Sequence, residues 1–475
     1  MTVAVIGGGI AGLAAAWELA SPGPGTPGVP VTLIDAADRV GGWINTVPFA
    51  GVELDTAADA FLARVPAAVE LARAAGLGDD LVSPGTGQAW VWCRDRLRPL
   101  PGGLVLGVPT DLRALAASGI VAPLGAARAA LDLVLPGSPV GPDEDVAVGR
   151  LIRRRMGRAV QMFLLDPLVG GINAGHTDEL SAAVAAPQLL AAARRQASLI
   201  RGLRPAETPP AGPAGGPPEG PVFYTVRGGM ARLVGAIRAG LDQAGVSLVT
   251  GDAVTSIERH GPGWVVRCAS GRTVAAAAVV VACPAGSAAR LLRPHSPAAA
   301  ATLAGVGAAS VVLTTLAYPE AALRRPLQGS GFLVPRPAGR LLTACSWVGS
   351  KWPHVVTPGL VLFRASAGRI DDERALGMGD DEIIAACHTE LVAALGLSRL
   401  PVEARVHRHP GAFPQYRVGH LERVDELERR LTDDAPGLSV AGAALRGVGI
   451  ATCIAGGRRA AGRARDYAQP ARSPA

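Results

Sequence analysis

The chain has 475 residues, 49% of them hydrophobic and only 18% charged, and its formal net charge is +7 at pH 7. This length predicts two or three lobes, and the composition excludes a disordered or fibrous chain. Six cysteines without a Cys-x-x-Cys pair provide no zinc or iron–sulfur ligand spacing, and they favour a reducing compartment. We therefore expect a globular protein without a bound metal.

Three further absences shape the expected location and partners. The chain begins with a strand-like segment instead of a charged and apolar leader, and no uninterrupted apolar run reaches the roughly 18 residues of a membrane span. The arginine-rich stretch 153–158 has no interleaved aromatic residues, which indicates a solvated surface and not a nucleic-acid interface. The sequence predicts a cytoplasmic protein without a transmembrane segment. A peripheral membrane contact, and the choice between monomer and homodimer, stay open.

The first elements in chain order form a predicted β-α-β unit. Residues 2–6 are a short apolar run typical of a buried strand, and a glycine-rich turn follows directly at 7–12. Residues 13–20 are rich in alanine and leucine, as in a helix, and a Pro/Gly segment ends that helix. Residues 31–35 then predict a second strand.

The rest of the chain divides by composition. Residues 66–204 carry Ala, Leu and Arg at helical spacing, and residues 205–220 form a Pro/Gly-rich linker. Residues 291–409 contain several apolar, β-like runs that predict a second sheet. The C-terminal part, from residue 438, returns to a strand, a glycine-rich turn and a helix.

The glycines of the first turn point to dinucleotide binding. Gly7, Gly9 and Gly12 form a Gly-x-Gly-x-x-Gly pattern between a predicted strand and a predicted helix, which is the context that the motif requires. The first glycine permits a tight turn, the second lets a pyrophosphate approach the backbone, and the third lets the helix pack on the strand. Asp35 ends the second strand, where a carboxylate can accept hydrogen bonds from a ribose.

The residues that follow resemble the FAD-dependent superfamily of amine oxidases, phytoene desaturases and protoporphyrinogen oxidases. The carriers of the resemblance are Arg39 with the Gly41-Gly42 pair, the segment 55–62, Gly251 to Val254, the Val279–Pro284 strand end, and the C-terminal glycines. The resemblance implies FAD as the cofactor and assigns to its binding the residues Gly7, Gly8, Gly9, Ile10, Ala11, Gly12, Asp35, Ala36, Arg39, Gly41, Gly42, Trp43, Ala57, Ala58, Asp59, Ala60, Val254, Gly442, Val448, Gly449 and Ile450.

The same resemblance implies an α/β (α+β, multi-lobe) fold. In it, a Rossmann-like FAD-binding domain is combined with a β-sheet substrate domain and a helical lobe. We expect a discontinuous FAD-binding domain at 1–65, 221–290 and 410–475, a helical lobe at 66–204 that contributes to the substrate cavity, and a β-rich substrate domain at 291–409.

Within that superfamily, three stretches resemble the oxygen-dependent porphyrinogen oxidases. They are residues 167–181 with Gly170-Gly171-Ile172-Asn173, the Pro414-Gln415-Tyr416 segment, and Arg446 to Ile454. The resemblance implies substrate contacts at Arg64, Gly171, Asn173 and Leu333. Arg64 is a candidate for binding a propionate, and Leu333 for packing on the macrocycle. No protein nucleophile or metal cluster is recognisable, so no catalytic side chain is expected and the flavin performs the chemistry.

The implied reaction is the six-electron oxidation of a porphyrinogen in haem biosynthesis, with O2 as acceptor and H2O2 as by-product. Coproporphyrinogen III is favoured over protoporphyrinogen IX, and a ferrochelatase is a candidate partner. Three alternatives stay open: an amine oxidase, a desaturase of the same superfamily, and a non-catalytic protein that handles FAD or haem. Whether a protein base assists the removal of a proton also stays open.

Overall fold

A computed structural model describes residues 2–21, 28–135, 140–204 and 221–469. The predicted linker at 205–220 lies outside the described residues. In chain order the strands are β1 (Val3–Ile6), β2 (Val31–Ile34), β3 (Thr46–Phe49), β4 (Val52–Asp55), β5 (Phe61–Leu62), β6 (Leu81–Val82), β7 (Trp90–Cys93), β8 (Arg96–Pro99), β9 (Leu104–Val105), β10 (Val108–Pro109), β11 (Phe223–Val226), β12 (Ser247–Val249), β13 (Val254–His260), β14 (Gly263–Cys268), β15 (Thr273–Ala276), β16 (Ala278–Val281), β17 (Ala308–Pro319), β18 (Gly331–Leu333), β19 (Leu342–Trp347), β20 (Leu360–Ala367), β21 (Glu403–Pro414) and β22 (Leu438–Val440).

The helices alternate with these strands. They are α1 (Ile10–Ala20), α2 (Pro66–Ala74), α3 (Leu112–Ser118), α4 (Pro123–Ala130), α5 (Val148–Met156), α6 (Arg158–Val160), α7 (Gly171–Asn173), α8 (Ala182–Ala185), α9 (Pro187–Arg195), α10 (Leu199–Leu203), α11 (Ala231–Gln243), α12 (Ala285–Leu292), α13 (Pro297–Ala304), α14 (Val348–Lys351), α15 (Asp380–Leu395), α16 (His420–Asp434), α17 (Ala443–Arg446) and α18 (Ile450–Ala468). A π-helical segment spans Gln161–Gly170, and short 3-10 turns lie at Gly78–Asp80, Leu131–Leu133, Glu320–Ala322, Arg336–Ala338 and Arg374–Gly377.

A five-stranded parallel sheet in the order β12-β2-β1-β16-β22 forms the centre of the first lobe. Residues of β1 and β16 are buried on both faces, which explains why each of these strands reads as a continuous apolar run and does not alternate. One face packs against α1, α11 and α18, and the other packs against α12, α13, α16 and the antiparallel sheet β13-β14-β15. This sheet confirms the predicted Rossmann-like domain.

Helices α1 and α18 lie against each other at one glycine. A Cβ atom placed on Gly457 would be only 2.1 Å from the backbone oxygen of Ala11. The backbones of the first and last long helices therefore touch, because no side chain separates them. This contact places the N-termini of both helices on the same side of the parallel sheet.

A seven-stranded sheet in the order β21-β17-β20-β19-β18-β7-β8 forms the second lobe, and all its pairings are antiparallel except β18 with β7. One face packs on α15 through buried apolar residues. The opposite face meets the β3–β4 hairpin and Ala174. Strands β7 and β8 come from the part of the chain that the sequence assigns to the helical lobe. The three-domain boundaries themselves stay a prediction.

The helical lobe has its own core, built from residues between Val91 and Ile200. Among the described residues, no helix has the length and the apolar character needed to cross a membrane. The expected mixture of a parallel nucleotide-binding sheet, a second sheet and a helical lobe is confirmed.

Candidate active site

The carboxyl ends of the parallel strands bring the predicted cofactor residues to one edge. Gly7 follows β1, Asp35 follows β2 and Gly442 lies just beyond β22. Because the strands are parallel, their carboxyl ends meet at the same edge of the sheet, which is where ligands bind in folds of this kind. Residues that are separated by more than 400 positions in the sequence thus line one crevice.

The three glycines of the first turn have different surroundings. Gly7 has a φ of +105° and lies so close to β16 that a Cβ would be 2.8 Å from the backbone of Ala282, while a Cβ on Gly12 would be 1.8 Å from the oxygen of Gly7. A Cβ on Gly9 would meet nothing within 4 Å. Gly7 and Gly12 therefore serve the packing of the turn, and the open space beside Gly9 is a cradle that a pyrophosphate fits.

Helix α1 begins at this cradle without a side-chain cap. Its N-cap is Gly9, and no side chain accepts a hydrogen bond from its first turn, whose residues Ile10 and Ala11 are buried. The free N–H groups and the positive end of the helix dipole favour an anion at this point. The structure therefore fits the phosphate-binding role predicted for residues 7–12.

Asp35 is oriented by two backbone donors. One of its oxygens accepts a short hydrogen bond from the N–H of Gly8, and the other accepts from the N–H of Ala37 at 2.7 Å. The next loop is bonded to the same segment, because Gly251 donates to the oxygen of Ala37 at 2.7 Å. Val254 begins β13 directly after that loop. This corner of the edge is suited to a ribose and an adenine.

A second glycine pair closes over the first turn. The N–H of Gly41 donates to the oxygen of Gly8 at 2.7 Å, and a Cβ on Gly42 would be 3.3 Å from the Cα of Gly9. The guanidinium of Arg39 donates to the backbone oxygens of Gly42 at 3.0 Å and Ile44 at 3.1 Å. In this structure Arg39 supports the turn, and its predicted contact with the diphosphate stays a prediction.

The last helix presents a second uncapped N-terminus. Gly449 is the N-cap of α18, and no side chain bonds to the first turn of this 19-residue helix. Gly442 has a φ of +124°, Val448 is half-buried and Ile450 is buried. An uncapped N-terminus stabilises negative charge, as required beside a reduced flavin.

The segment predicted to run beneath the flavin is fastened to the second lobe by Asp59. Its carboxylate lies 2.8 Å from Nζ of Lys351 and 3.3 Å from Nη2 of Arg364, and it accepts a hydrogen bond from Nε1 of Trp352 at 3.1 Å. These contacts occupy both oxygens of Asp59. The side chain therefore anchors the segment, and a contact of Asp59 with the cofactor stays a prediction for its backbone.

Two carboxyl groups in this region have pKa values shifted in opposite directions. Burial raises the pKa of Asp55 to about 6, although it accepts hydrogen bonds from Thr46 and from the N–H of Met230. Burial would also raise the pKa of Asp59, but the charges of Arg364 and Lys351 outweigh it and lower the pKa. Asp59 is thus ionised well below neutral pH, whereas Asp55 loses its proton only as the pH rises through about 6.

The predicted substrate residues lie around the second face of the seven-stranded sheet. Gly171 is exposed at the end of the π-helical segment, and its neighbour Ile172 is 56% exposed. Phe332 and Val334 point into the core beside α15, so Leu333 between them points to the opposite face. Arg336 joins these two regions, because its Nη2 donates to the oxygen of Gly175 at 2.8 Å.

The side chains of Asn173 and Arg64, the other two predicted substrate residues, differ in their hydrogen bonding within the protein. The side-chain amide of Asn173 is buried and donates to the oxygen of Val169 at 2.8 Å, so it closes the helical turn. Arg64 is exposed, and within the described part of the chain it forms no hydrogen bond or ion pair. Arg64 is therefore free to bind an anionic group. For all four residues, contact with a substrate stays a prediction.

Three residues near the site are missing from the sequence-based set. Lys351 and Arg364 hold Asp59. Nε2 of His409 donates to the backbone oxygen of Thr56 at 2.8 Å, and the imidazole ring packs edge-on against Trp43. Lys351 is the only lysine of the chain, and this feature of the sequence could have singled it out. Among the described residues, no three His, Cys, Asp or Glu side chains form a group able to hold a metal ion.

Comparison with known proteins agrees with this geometry. The profile of the flavin containing amine oxidoreductases matches residues 10–465. The chain is 34% identical to a coproporphyrinogen III oxidase of Bacillus subtilis, covering 98% of both chains, and 29% identical to a protoporphyrinogen oxidase of Bos taurus, covering 97% of this chain and 98% of the other. A solved Exiguobacterium protein, provisionally assigned as a protoporphyrinogen oxidase, superposes with a TM-score of 0.84 at 27% identity, covering 97% of this chain and 98% of the other.

The chain therefore belongs to the flavin-containing amine oxidoreductase family, and within it to the group of the coproporphyrinogen III oxidases. Its cofactor is FAD, as the resemblance to the FAD-dependent superfamily implied. The fit is visible in the structure: an open cradle at Gly9, a carboxylate at Asp35 and two uncapped helix N-termini lie on one edge.

Proposed function

We propose that this protein oxidises coproporphyrinogen III to coproporphyrin III with O2 as the electron acceptor. The observation that carries the proposal is the presence of two surfaces. One surface is an intact dinucleotide cradle, and the other is the set of predicted substrate residues, with an exposed glycine, apolar side chains and an arginine that has no partner among the described residues. A flat tetrapyrrole with carboxylate arms matches that combination of apolar surface and cation. The similarity to coproporphyrinogen III oxidases over nearly the whole chain supports the same choice.

Bound FAD would supply the two-electron redox chemistry, with hydride acceptance from the porphyrinogen and reoxidation by O2. The protein would hold and orient the reactants. The uncapped N-terminus of α18 would favour negative charge on the bound cofactor, while Ile172 and Leu333 would provide apolar surface for the macrocycle. Arg64 supplies a guanidinium for a propionate.

Two residues that look like candidates for a protein base are already engaged. Nε2 of His409 is bonded to the oxygen of Thr56, and burial lowers the pKa of this imidazole. Nε2 of His420 lies 2.7 Å from the oxygen of Leu445, and burial lowers its pKa as well. Both rings are neutral at pH 7, and each donates its Nε2–H to a backbone oxygen, so both hold a structural hydrogen bond.

An amine oxidase is the strongest alternative, because solved putrescine and cyclohexylamine oxidases share the fold. Their identity to this chain is only 16% and 18%, so they define the fold alone. The turn from Arg446 to Ile450 contains no aromatic residue that would face a flavin and enclose an amine. An amine substrate is cationic, whereas Arg64 offers a positive charge. These observations favour the carboxylate-bearing substrate.

The test is a side-by-side aerobic assay of coproporphyrinogen III and protoporphyrinogen IX, with unbound FAD removed and porphyrin fluorescence followed. We expect faster turnover of coproporphyrinogen III and release of about three H2O2 per porphyrin, because each two-electron step consumes one O2. A clear preference for protoporphyrinogen IX would reject the proposed substrate. No turnover of either, with turnover of an amine, would reject the proposed function.

We further propose a cytoplasmic location, with a ferrochelatase as the partner that receives the porphyrin. The reasons are the chemical identity of the product, a metal-free porphyrin, and the absence of a helix fit to cross a membrane among the described residues. Porphyrin and its metal-inserting enzyme are then expected in the same compartment. Co-elution of the two proteins during size-exclusion chromatography, in the presence of coproporphyrin III, tests the partnership.

A further inference from the structure

A pocket rich in arginine lies where β18 and β20 of the seven-stranded sheet end. It has a volume of about 390 Å³ and is formed by the 3-10 turn after β18 and by the loop after β20. Its lining residues are Pro335, Arg336, Gly339, Arg340, Arg369, Asp371, Asp372, Glu373 and Arg374. Four guanidinium groups and three carboxylates therefore face one concave surface.

Two of the four arginines are fully used within the protein. Arg336 contacts both oxygens of Asp371, lies 3.1 Å from Asp166 and donates to the oxygen of Gly175. Arg374 bonds both oxygens of Asp372, at 2.8 Å and 2.7 Å. These two guanidinium groups build the wall of the pocket and have little capacity left for a ligand.

The other two arginines have no carboxylate partner among the described residues. Arg369 donates to the backbone oxygen of Val334 at 2.7 Å, and burial together with the charge of Arg336 lowers its pKa. Arg340 lies with its guanidinium 4.1 Å from the ring centroid of Trp92. The charges of Asp166, Asp371 and Asp372 act on Arg369, but among the described residues no side-chain hydrogen bond or salt bridge joins it to them. A half-buried guanidinium that bonds no carboxylate is costly, and an anion in the pocket would bond it directly.

The pocket is directly connected to the loop predicted to border the substrate. Arg336 is bonded to Gly175, and the N–H of Ile370 donates to the oxygen of Ala174 at 2.9 Å. Leu333 lies only three residues before Arg336. The loop after β20, which carries Arg369, therefore contacts the loop that is predicted to border the substrate.

We propose that Arg340 and Arg369 form a carboxylate-binding site for a propionate of the tetrapyrrole; this inference rests on the proposed function. A guanidinium binds a carboxylate through two parallel hydrogen bonds, and Lys does not reproduce that geometry. A volume of about 390 Å³ lies at the lower end of small-molecule sites, so it suits one propionate arm and its water and not the whole macrocycle. The four propionates of coproporphyrin III leave arms available for such a site.

The experiment measures the Kd of the FAD-loaded enzyme for coproporphyrin III by fluorescence titration, in the wild type and in Arg340→Gln, Arg369→Gln and the double variant. Arg238→Gln is the matched control, because Arg238 is an exposed arginine of α11 whose pairing with Asp242 at 3.8 Å is loose. We expect the Kd to rise about tenfold in the double variant. We expect no change of FAD content or flavin spectrum, and no change of Kd in the control.

A carboxylate in this pocket can belong to the tetrapyrrole or to a free small molecule, and citrate is the probe that distinguishes these two sources. A wild-type melting temperature that rises with citrate in an Arg340- and Arg369-dependent way, with an unchanged porphyrin Kd, would overturn the assignment to the tetrapyrrole. A porphyrin Kd within twofold of the wild type in the double variant would also overturn it. If Arg369→Gln fails to fold, Arg340→Gln alone decides, with Arg340→Lys expected to recover only part of the affinity.

The binding measurement remains informative if the proposed function fails. A wild-type protein that binds coproporphyrin III through these arginines but oxidises no porphyrinogen would reject the reaction and keep the carboxylate site. A protein that turns over coproporphyrinogen III with equal KM in wild type and double variant would keep the reaction and reject the site.

Discussion

At the residue scale, the glycines of the first turn separate folding from cofactor binding. Gly12 has no room for a side chain, since its Cβ would lie 1.8 Å from a backbone oxygen. Gly9 has room, but the room is the cradle itself. A substitution at Gly9 therefore leaves the folded chain intact and occupies the space of the pyrophosphate, whereas a substitution at Gly12 forces the helix away from the strand.

We predict that Gly9→Asp abolishes FAD binding, because it adds both a side chain and a negative charge where the diphosphate lies. The measurement is the flavin-to-protein ratio of purified protein, with circular dichroism to check that the fold is kept. Gly235→Asp is the matched control, since Gly235 also has nothing within 4 Å of its Cβ position but lies exposed on α11. A yellow Gly9→Asp protein with full FAD content would refute this assignment.

The raised pKa of Asp55 makes a second residue-scale prediction. A carboxyl group whose pKa rises from 3.8 to about 6 on folding binds more protons in the folded state between those two values, so stability falls as the pH rises through that window. Asn at this position still accepts the hydrogen bonds from Thr46 and Met230 without any charge. We therefore expect the free energy of unfolding of Asp55→Asn, relative to that of the wild type, to increase by about 1–3 kcal/mol as the pH rises from 4 to 7.

The measurement is the free energy of unfolding of both proteins at several pH values, reported as their difference. The difference cancels the titration of His409, whose lowered pKa acts on both proteins alike. Asp59 stays ionised across the window because its pKa is lowered. A pH-independent difference would show that the Asp55 carboxyl group is not destabilised by ionisation.

Single residues also show where sequence reasoning ended. The tight turn at Gly7, Gly9 and Gly12 and the place of Asp35 were predictable, because a local motif specifies its own turn, and their contacts with the cofactor stay a prediction. The direction of the Asp59 side chain was not predictable, because its partners Lys351 and Arg364 lie about 300 positions away in the chain. A motif specifies its own backbone, and distant partners are specified only by the fold.

At the element scale, the ion pair between Asp59 and Lys351 fastens the segment that is predicted to run beneath the flavin to α14. Both side chains are about one-fifth exposed, so the pair contributes more to stability than an exposed pair does. When Lys351 is lost, Arg364 still neutralises part of the charge of Asp59. We predict that Lys351→Met costs about 1–2 kcal/mol of stability and weakens FAD binding, while Lys351→Arg retains most of both.

The check is a pair of titrations, urea unfolding and FAD binding to the apoprotein, for both variants and for Arg238→Met. The control removes an ion pair in which both side chains are more than half exposed, and such pairs contribute little. Equal FAD affinity in wild type and Lys351→Met would mean that α14 does not hold the segment in place.

The sequence missed the pairing of β7 with β18 and the π-helical segment, because no local pattern marks either of them. Strand β7 pairs with β18 across more than 200 residues, Phe332 opposite Trp90, and local spacing carries no sign of such a partner. The π-helical segment Gln161–Gly170 has an apolar sequence that is equally consistent with an ordinary helix, with Pro167 inside it. The β-α-β unit was predictable because its strand, turn and helix are contiguous and each has its own signal.

At the scale of the whole molecule, the cofactor site is shared by remote parts of the chain. The parallel sheet takes strands from residues 3–6, 31–34, 247–249, 278–281 and 438–440. The segments between these strands build the helical lobe and the seven-stranded sheet. Cleavage of the chain at one point therefore cannot release either lobe from the sheet. A ligand at the sheet edge contacts residues from remote parts of the chain and so affects the stability of the entire fold.

This arrangement predicts that FAD stabilises the chain as one unit. A ligand that binds only the folded state adds about 2.7 kcal/mol at 100 times its Kd. The predicted cofactor residues run from Gly7 to Ile450, so we expect FAD to bind weakly to any partly unfolded form. Thermal unfolding of apoprotein with increasing FAD should show the whole transition moving upward, and Gly9→Asp should not respond. A transition that FAD leaves unmoved would instead identify a lobe that unfolds alone, and the helical core between Val91 and Ile200 is the part that has the internal packing to do so.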